Sequence, residues 1–148
     1  MKKTVKYGLI IAGIGFAAAV AVFLYMYNMP HRNIQEEEVR FTMGADEFTQ
    51  EFMSNPVESN AKYLDQVVVI EGIIGEKSQD QLNQQVITFK TEKAGINCTF
   101  TAETNSNAEK LNEGDKVKIK GVVRLGASYD EDLDMTEYAI LEKCDIIK

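Results

Sequence analysis

The chain has 148 residues, 45% of them hydrophobic, which is enough for about one domain with its own core. Its first 27 residues contain three lysines and no acidic residue, whereas residues 28–148 contain 13 basic and 23 acidic residues, a net charge of −10. An acidic domain repels phosphate backbones at long range, so this composition disfavours a general nucleic-acid binder.

Residues 7–27 form an apolar run of 21 residues without a charged side chain. As a helix with a rise of about 1.5 Å per residue, the run would span roughly 30 Å, the thickness of a bilayer core. Its end residues Tyr7, Tyr25 and Tyr27 suit the two membrane interfaces. The sequence therefore predicts a retained transmembrane anchor. The alternative is a signal peptide cleaved at Ala19-Val20-Ala21, which would leave an apolar stub on the mature chain.

The lysines Lys2, Lys3 and Lys6 precede the apolar run, and acidic residues dominate the segment that follows it. The positive-inside rule places residues 1–6 in the cytoplasm and the domain on the other side of the membrane. In a bacterium we therefore expect a single-pass protein of the inner membrane with its domain in the periplasm. That compartment permits disulfides.

Residues 28–43 have the composition of a linker, with a proline, a charged run and few apolar side chains. We interpret the acidic run Glu36 to Glu38 as a solvated segment and not as a metal site. His31, the only histidine, has no partner nearby in sequence and is assigned no catalytic or metal-binding role. The folded domain is predicted to occupy residues 44–148.

The predicted domain begins with helical segments. Phe48 and Phe52 are spaced to share one face of a short amphipathic helix that starts near Ala45 and ends before Asn55-Pro56. A further helical turn is predicted from Asn60 to Leu64, with Asn60 as its cap.

Three predicted strands follow, at residues 67–77, 85–91 and 95–102. The outer face of the first strand holds Val67, Val69 and Ile73, which is too apolar to be left bare. We expect the N-terminal helical segment to cover part of this face. The aromatic residues of the second and third strands, Phe89 and Phe100, are predicted to point inward.

Residues 104–112 predict a short helix, in which Ser106 and Glu109 have the spacing of a capping box. A strand then begins at Lys116, in which apolar residues alternate with lysines. This period of two predicts apolar side chains inside and a basic stripe outside, where it faces Glu71 or water. The members of the stripe are Lys116, Lys118, Lys120 and Arg124.

The C-terminal part predicts an exposed loop at residues 126–134 and a last strand at residues 136–147. We expect the inner side of this strand to carry Tyr138, Ile140, Cys144 and Ile146. The element order is then helix, three strands, short helix and two strands. It matches a mainly β (α+β) fold, a five-stranded Greek-key OB barrel with the short helix between strands three and four.

Several short motifs occur along the soluble part of the chain in a characteristic order. They are Pro30-His31-Arg32, Asn60-Ala61-Lys62-Tyr63-Leu64, Val68-Val69-Ile70-Glu71-Gly72, Asn97-Cys98-Thr99, Gly114-Asp115-Lys116-Val117-Lys118-Ile119-Lys120-Gly121 and Lys143-Cys144. On these residues the chain resembles the tRNA_anti-like family of bacterial OB-fold proteins, over roughly residues 30–148. The resemblance implies an OB fold behind a membrane anchor or signal sequence. The loop 128–134 departs from it by being longer and more acidic.

The two cysteines, Cys98 and Cys144, are too few for a disulfide scaffold and lack the spacing of a zinc site. Strands three and five of an OB barrel pair with each other, and both cysteines fall on predicted inward positions. A disulfide between them is therefore predicted outside the cytoplasm, the alternative being two buried thiols that pack as small hydrophobes. A catalytic thiol is not expected, because the domain contains no histidine to activate one.

The candidate ligand-binding residues are polar outer positions on strands two and three and carboxylates in the C-terminal loop. They are Lys90, Asn97, Thr99, Thr101, Asp130, Asp132 and Asp134. The carboxylates are spaced as in a calcium loop, but Met135 stands where that loop needs glycine and Leu141 replaces its bidentate glutamate. No metal, cofactor or catalytic residue is predicted.

The sequence therefore predicts a non-enzymatic, membrane-tethered OB-fold module that binds a protein, glycan or small ligand of the cell envelope. The alternative is an OB domain that binds single-stranded nucleic acid or tRNA. The net charge disfavours it, and so does the predicted lack of stacking aromatics on the outer face of strands two and three.

Overall fold

The computed structural model describes residues 2–29 and 32–148. Pro30 and His31 lie outside the described residues, and the prediction that His31 has no functional role lies there with them. The chain divides into two compact units, Met1–Asn33 and Ile34–Lys148. In the first unit, helix α1 runs from Lys3 to Tyr27 and is long and apolar enough to cross a membrane.

The second unit contains three further helices and eight strands. The helices are α2 (Ala45–Ser54), α3 (Pro56–Tyr63) and α4 (Asn105–Glu109). The strands are β1 (Phe41–Gly44), β2 (Val67–Gln79), β3 (Gln85–Lys90), β4 (Gly95–Phe100), β5 (Lys116–Leu125), β6 (Ser128–Asp130), β7 (Met135–Glu137) and β8 (Ala139–Ile147).

Five of these strands form a closed barrel in the order β2-β3-β4-β8-β5, which the pairing of β5 with β2 completes. Strands β4 and β8 run parallel, and the other neighbours within the barrel are antiparallel. Helix α4 lies between β4 and β5 in the chain. The predicted five-stranded OB barrel, with a helix after its third strand, is confirmed.

Two elements are added to the barrel. Strand β1 pairs in parallel with the first half of β2, with Phe41 opposite Val68. Strands β6 and β7 form a separate hairpin between β5 and β8, in the segment for which the sequence predicted an exposed loop and the start of the last strand.

Helices α2 and α3 pack into the main core and not onto the outer face of β2. Phe48, Phe52 and Tyr63 are buried and belong to the same cluster as the inward residues of the barrel. Helix α3 also begins earlier than the predicted turn at Asn60, because Pro56 occupies its first turn, where the missing N–H costs nothing. The prediction that the helical segment covers the outer valines was therefore wrong.

Part of the apolar outer face of β2 is covered by Ile34, whereas Ile73 on the same face remains exposed. The Ile34 side chain is only 4% exposed and forms a second cluster with Val67 and Val122. The sequence did not reveal this role, because Ile34 is a single apolar residue among polar and charged neighbours.

Lys120 ties the same segment to the barrel. Its ammonium donates hydrogen bonds to the backbone carbonyls of Gln35 (3.2 Å) and Glu37 (2.5 Å), and the residue is only 8% exposed. Further along, the Arg40 N–H donates to the carbonyl of Val67 at 2.8 Å. Residues 34–43, part of the predicted linker, thus pack against the barrel, and the compact unit begins ten residues before the predicted start at residue 44.

The last strand changes register part-way along its length. Ala139 and Leu141 are buried, and after Lys143, whose φ is +53°, the buried position moves to Cys144. The extra residue is a β-bulge, seen as a register shift against both neighbouring strands. Tyr138 therefore lies outside and not inside as predicted, because a strict alternation cannot anticipate a bulge.

The predicted disulfide is not present, since Cys98 and Cys144 are both free, buried thiols. The bulge places Leu141 opposite Cys98 and Phe100 opposite Cys144, so the cysteines are not a directly paired couple across β4 and β8. Burial raises the pKa of the Cys144 thiol well above its ordinary value, and a hydrogen-bonding contact with Cys98 raises it further. The alternative interpretation, two thiols packed in the core, describes the structure.

Most of the predicted basic stripe on β5 is neutralised by carboxylates, as expected. Lys116 and Lys118 lie 2.7 and 3.7 Å from the carboxylate of Glu71 on β2. Arg124 pairs with Asp65 at 2.8 Å and Glu142 at 3.0 Å. Lys120 is the exception, being buried under residues 34–37. The stripe therefore offers little unpaired positive charge to a phosphate ligand.

These ion pairs predict a pH dependence. The hydrogen bond and charge of Lys116, followed by those of Lys118, hold the pKa of Glu71 below its ordinary value. The stability that Glu71 contributes is therefore complete above the ordinary glutamate pKa and is lost as the pH falls through the lower pKa of the folded state. We expect thermal unfolding of wild type and Glu71→Gln to differ at neutral pH and converge in acid. A difference that persists unchanged below both pKa values would contradict this assignment.

Candidate functional site

The outer face of β3 and β4 is polar and flat. Thr88 and Asn97 lie opposite each other on this face, and the Thr88 hydroxyl donates a hydrogen bond to the Asn97 side-chain oxygen at 2.8 Å. Thr99 lies further along β4 and is half-buried. Phe89 and Phe100 are fully buried, as predicted, so these two strands present no aromatic ring on their outer face.

The side chains of Lys90 and Tyr138 lie against glycines of neighbouring strands, Gly75 on β2 and Gly95 on β4. A Cβ atom on Gly75 would be 2.5 Å from the alkyl chain of Lys90, and one on Gly95 would be 2.5 Å from the ring of Tyr138. Lys90 and Gly95 are directly paired across β3 and β4. The glycines thus let a basic and an aromatic side chain lie close against neighbouring strands, with Tyr138 still 40% exposed.

Thr101, another predicted ligand-binding residue, has a structural role. It follows β4, and its N–H donates to the Thr104 hydroxyl at 3.0 Å, which itself donates to the carbonyl of Cys144 at 2.7 Å. These bonds fix the turn into α4. Thr101 therefore lies at the end of the polar face, away from Lys90.

The three predicted aspartates are in the β6–β7 hairpin and are not brought together with the strand residues. Asp130 accepts hydrogen bonds from the N–H groups of Asp132 (2.9 Å) and Leu133 (3.1 Å), which closes the hairpin turn. Asp134 accepts a hydrogen bond from the Tyr129 hydroxyl. Across residues 2–29 and 32–148, no group of three histidine, cysteine or acidic side chains is arranged to hold a metal ion.

The hairpin instead forms one wall of a cleft of about 590 Å³, which we call the rim cleft. Helix α2 forms the second wall and the turn between β3 and β4 forms the third. The lining residues are Gln50, Met53, Ser54, Glu92, Lys93, Tyr129 and Thr136. A smaller hollow of about 210 Å³ shares Glu92, Lys93 and Thr136 with the rim cleft and extends it to Lys90 and Tyr138.

The walls of the rim cleft are connected by hydrogen bonds and close packing. The hydroxyls of Thr49 and Thr91 are 3.0 Å apart, and the Glu92 N–H donates to the Asp46 carboxylate at 3.2 Å. At the base of the hairpin, Gly126 lies so close to Phe52 that a Cβ atom there would be 2.2 Å from the ring. The cleft is therefore preformed, as ligand sites usually are.

The sequence profile of the tRNA_anti-like family matches residues 1–131, which is most of the chain. The chain belongs to the tRNA_anti-like family. The match ends at the tip of the β6–β7 hairpin, whereas the resemblance in the sequence was traced over roughly residues 30–148. A search of curated proteins finds no match.

Searches of solved structures find proteins similar to this tRNA_anti-like protein. A lipoprotein from Klebsiella pneumoniae, to which nucleic-acid binding is attributed, superposes with a TM-score of 0.53 at 18% identity, over 72% of this chain and 91% of that one. Asparaginyl-tRNA synthetase from Pyrococcus horikoshii gives a TM-score of 0.39 at 16% identity. A protein assigned as an aspartyl-tRNA synthetase from Leishmania major gives 0.44 at 10% identity.

The extent of these matches differs. The match to the Pyrococcus enzyme covers 59% of this chain and 21% of that one, and the match to the Leishmania protein covers 87% and 25%. The tRNA_anti-like chain thus spans about a quarter or less of either synthetase. At these identities, the Klebsiella protein shows that the fold is shared.

Sequence reasoning missed most of the rim cleft of this tRNA_anti-like protein. Met53 is on the predicted first helix, and Glu92 and Lys93 are in the predicted hairpin turn, but none of them has a neighbour in sequence that marks it as a cleft residue. Tyr138 was assigned to the wrong face because of the bulge at Lys143. One feature of the sequence could have indicated this region, namely Gly95, because a glycine in a strand often marks a place where another side chain packs closely, here the ring of Tyr138.

Proposed function

We propose that this tRNA_anti-like protein is a non-enzymatic binding module, tethered to the membrane by α1 and using the rim cleft of its OB barrel to hold a ligand of the cell envelope. The cleft is the observation that carries the proposal. It is preformed and lies beside the polar face of β3 and β4, where OB folds bind their ligands.

The tether rests on helix α1. Its 25 residues correspond to about 37 Å at 1.5 Å per residue, and every one of them is exposed in the structure. Lysines stand at the N-terminal end only, which favours a cytoplasmic N-terminus and a barrel in the periplasm. The Klebsiella protein of the same fold is described as a lipoprotein, which supports attachment to a membrane.

The absence of catalysis is supported by the state of the cysteines. Burial raises the pKa of the Cys144 thiol, which makes it a weak nucleophile, and Cys98 is also buried in the barrel core, out of reach of a substrate. They contribute to packing and do not face the rim cleft.

A second candidate function, binding of single-stranded nucleic acid, is favoured by the family relationship and by one pair of side chains. Lys90 on β3 and Tyr138, which lies just before β8 and against Gly95, line the same hollow, and exposed aromatic rings of this kind stack on bases. Against it, Phe89 and Phe100 are buried, and the acidic hairpin stands next to this pair. We therefore rank it below the first candidate.

The test uses the full chain. We expect it to remain in the membrane fraction at high salt, and its barrel to be reached by protease only from the periplasmic side. A variant without residues 3–27 should be released. Titrating the chain in neutral detergent with labelled single-stranded RNA and DNA at low salt should give no saturable binding. Micromolar binding of RNA or DNA with a steep salt dependence would contradict the envelope-ligand function and favour nucleic-acid binding.

A further inference from the structure

We infer that the rim cleft takes a basic polypeptide segment that carries an apolar side chain. This inference rests on the proposed binding function and names its ligand class. It is carried by two properties of the cleft, the negative charge of the elements that form it and the apolar character of its floor.

Much of the negative charge of the domain belongs to the elements that form the cleft, although the residues that line it include one charge of each sign, Glu92 and Lys93. The unit Ile34–Lys148 has 12 basic and 23 acidic residues, a net charge of −11. Helix α2 has three acidic residues and residues 126–138 have five, with no basic residue in either, while the turn 91–94 has one of each sign. These 27 residues therefore carry a net charge of −8 and create a field that attracts cations and repels phosphates.

The acidic residues of the hairpin are not neutralised within the protein. In residues 2–29 and 32–148, none of its carboxylates forms an ion pair with lysine or arginine, in contrast to Glu71 and Glu142 elsewhere on the barrel. Asp134 is in the hairpin and Asp46 is in the first turn of α2, so two of the three elements that form the cleft carry acidic residues. Negative charge on the elements around the cleft is complementary to a basic segment bound there.

The cleft also has an apolar floor. Met53 packs against the barrel core and is half-buried, whereas the ring of Tyr129 is 49% exposed in the opposite wall. A volume of about 590 Å³ is much larger than a single hydrated cation needs and admits a large side chain with flanking backbone. Most of the binding energy of a protein interface comes from a few buried anchor residues, often aromatic, that fill a pocket.

Charge and floor together select the ligand. A nucleic acid would gain little from Lys90 and Lys93, because it would also approach the five carboxylates of residues 126–138. A small polycation would pair with the acidic residues around the cleft but would leave Met53 and Tyr129 exposed to water. A basic segment with one aromatic or aliphatic side chain satisfies both.

The experiment measures fluorescence anisotropy of labelled peptides with the full chain in neutral detergent. Three peptides of equal length are compared: lysines around a central phenylalanine, the same peptide with glycine for phenylalanine, and a version with glutamate for lysine. We expect the first to bind, the second to bind more weakly and the third not to bind. Affinity for the first should fall as salt screens the charges.

Variants of the chain separate the cleft from the general charge of the domain. The cleft variant removes four charges by Asp130→Asn, Asp132→Asn, Asp134→Asn and Glu137→Gln, amides that keep the hydrogen-bond acceptors of the hairpin. The matched control removes four exposed charges elsewhere, by Glu36→Gln, Glu38→Gln, Glu103→Gln and Glu113→Gln. We expect the cleft variant to weaken binding of the lysine–phenylalanine peptide by about tenfold or more and the control by much less.

The apolar floor is tested by Tyr129→Ala, which should weaken binding of the phenylalanine peptide and leave the glycine peptide almost unchanged. Three results would overturn the inference: equal loss in the cleft and control variants, competition by spermidine as strong as by the peptide, or no binding of the basic peptide. If the basic peptide does not bind but the chain is membrane-bound and binds no nucleic acid, only this inference is contradicted. If the chain binds nucleic acid, the proposed function itself is contradicted.

Discussion

Replacing Phe52 by alanine is expected to lower the free energy of unfolding by about 3–5 kcal/mol, the usual cost of emptying a buried phenylalanine site. Phe52 is 1% exposed, and its ring centroid lies 4.9 Å from that of Phe48 and 5.7 Å from that of Tyr63. The ring also packs against Gly126 at the base of the hairpin. Its loss therefore leaves a cavity between α2, α3 and the hairpin, which the surrounding backbone cannot easily close.

The measurement is urea denaturation of the full chain, followed by the near-ultraviolet circular dichroism of its tyrosines and phenylalanines. Val57→Ala is the matched control, because Val57 is on α3 but 84% exposed, and its effect should stay within about 0.5 kcal/mol. Phe52→Ala should also loosen the rim cleft, because the Phe52 ring packs helix α2, which also carries Met53, against the base of the hairpin. Equal stability of the two variants would show that α2 does not contribute to the core as described.

Replacing Lys120 by alanine is expected to lower the free energy of unfolding by about 1.5–3 kcal/mol, the range for losing hydrogen bonds made by a charged donor. The ammonium donates to two backbone carbonyls, those of Gln35 and Glu37, and both bonds are lost in the variant. The segment that carries Ile34 then keeps its apolar contacts and the hydrogen bond from the Gln35 side chain to Asp145. Amide hydrogen exchange should increase at Arg40, whose N–H bonds to Val67.

Two controls accompany this variant. Lys118→Ala removes a neighbouring lysine that is half exposed and 3.7 Å from Glu71, so its effect should be at most about 1 kcal/mol. Lys120→Met keeps the aliphatic stem and removes only the donors, and should cost less than alanine. If Lys118→Ala and Lys120→Ala had equal effects, the burial of Lys120 under residues 34–37 would be wrong.

The alternation of apolar and charged residues predicted the barrel strands well. Val117, Ile119 and Val123 alternate with the lysines of β5, and the pairing of Lys116 and Lys118 with Glu71 follows from that alternation. Period-two patterns work here because a strand that faces the core on one side has no freedom to rotate. The same rule failed on β8, where one extra residue at Lys143 moves every later side chain to the other face.

The candidate site was predictable only in part. The polar positions Lys90, Asn97 and Thr99 were identified, and they do lie together on the outer face of β3 and β4. The rim cleft was not, because its lining comes from α2, a turn and a hairpin that are far apart in the chain. Whether such residues meet depends on the packing of Phe52 against Gly126, which leaves no periodic signal.

The sequence by itself determined the apolar helix, the order of the strands, the family and the uneven charge, because each depends on residue type and local spacing. Only the tertiary structure decided the start of the domain, the state of the cysteines and the position of the ligand site. Ile34, Cys144 and Tyr138 take their places through long-range packing and a bulge, which no local pattern encodes. The acidic residues were visible from the beginning, but it is the fold that brings the acidic hairpin next to helix α2 and the turn between β3 and β4.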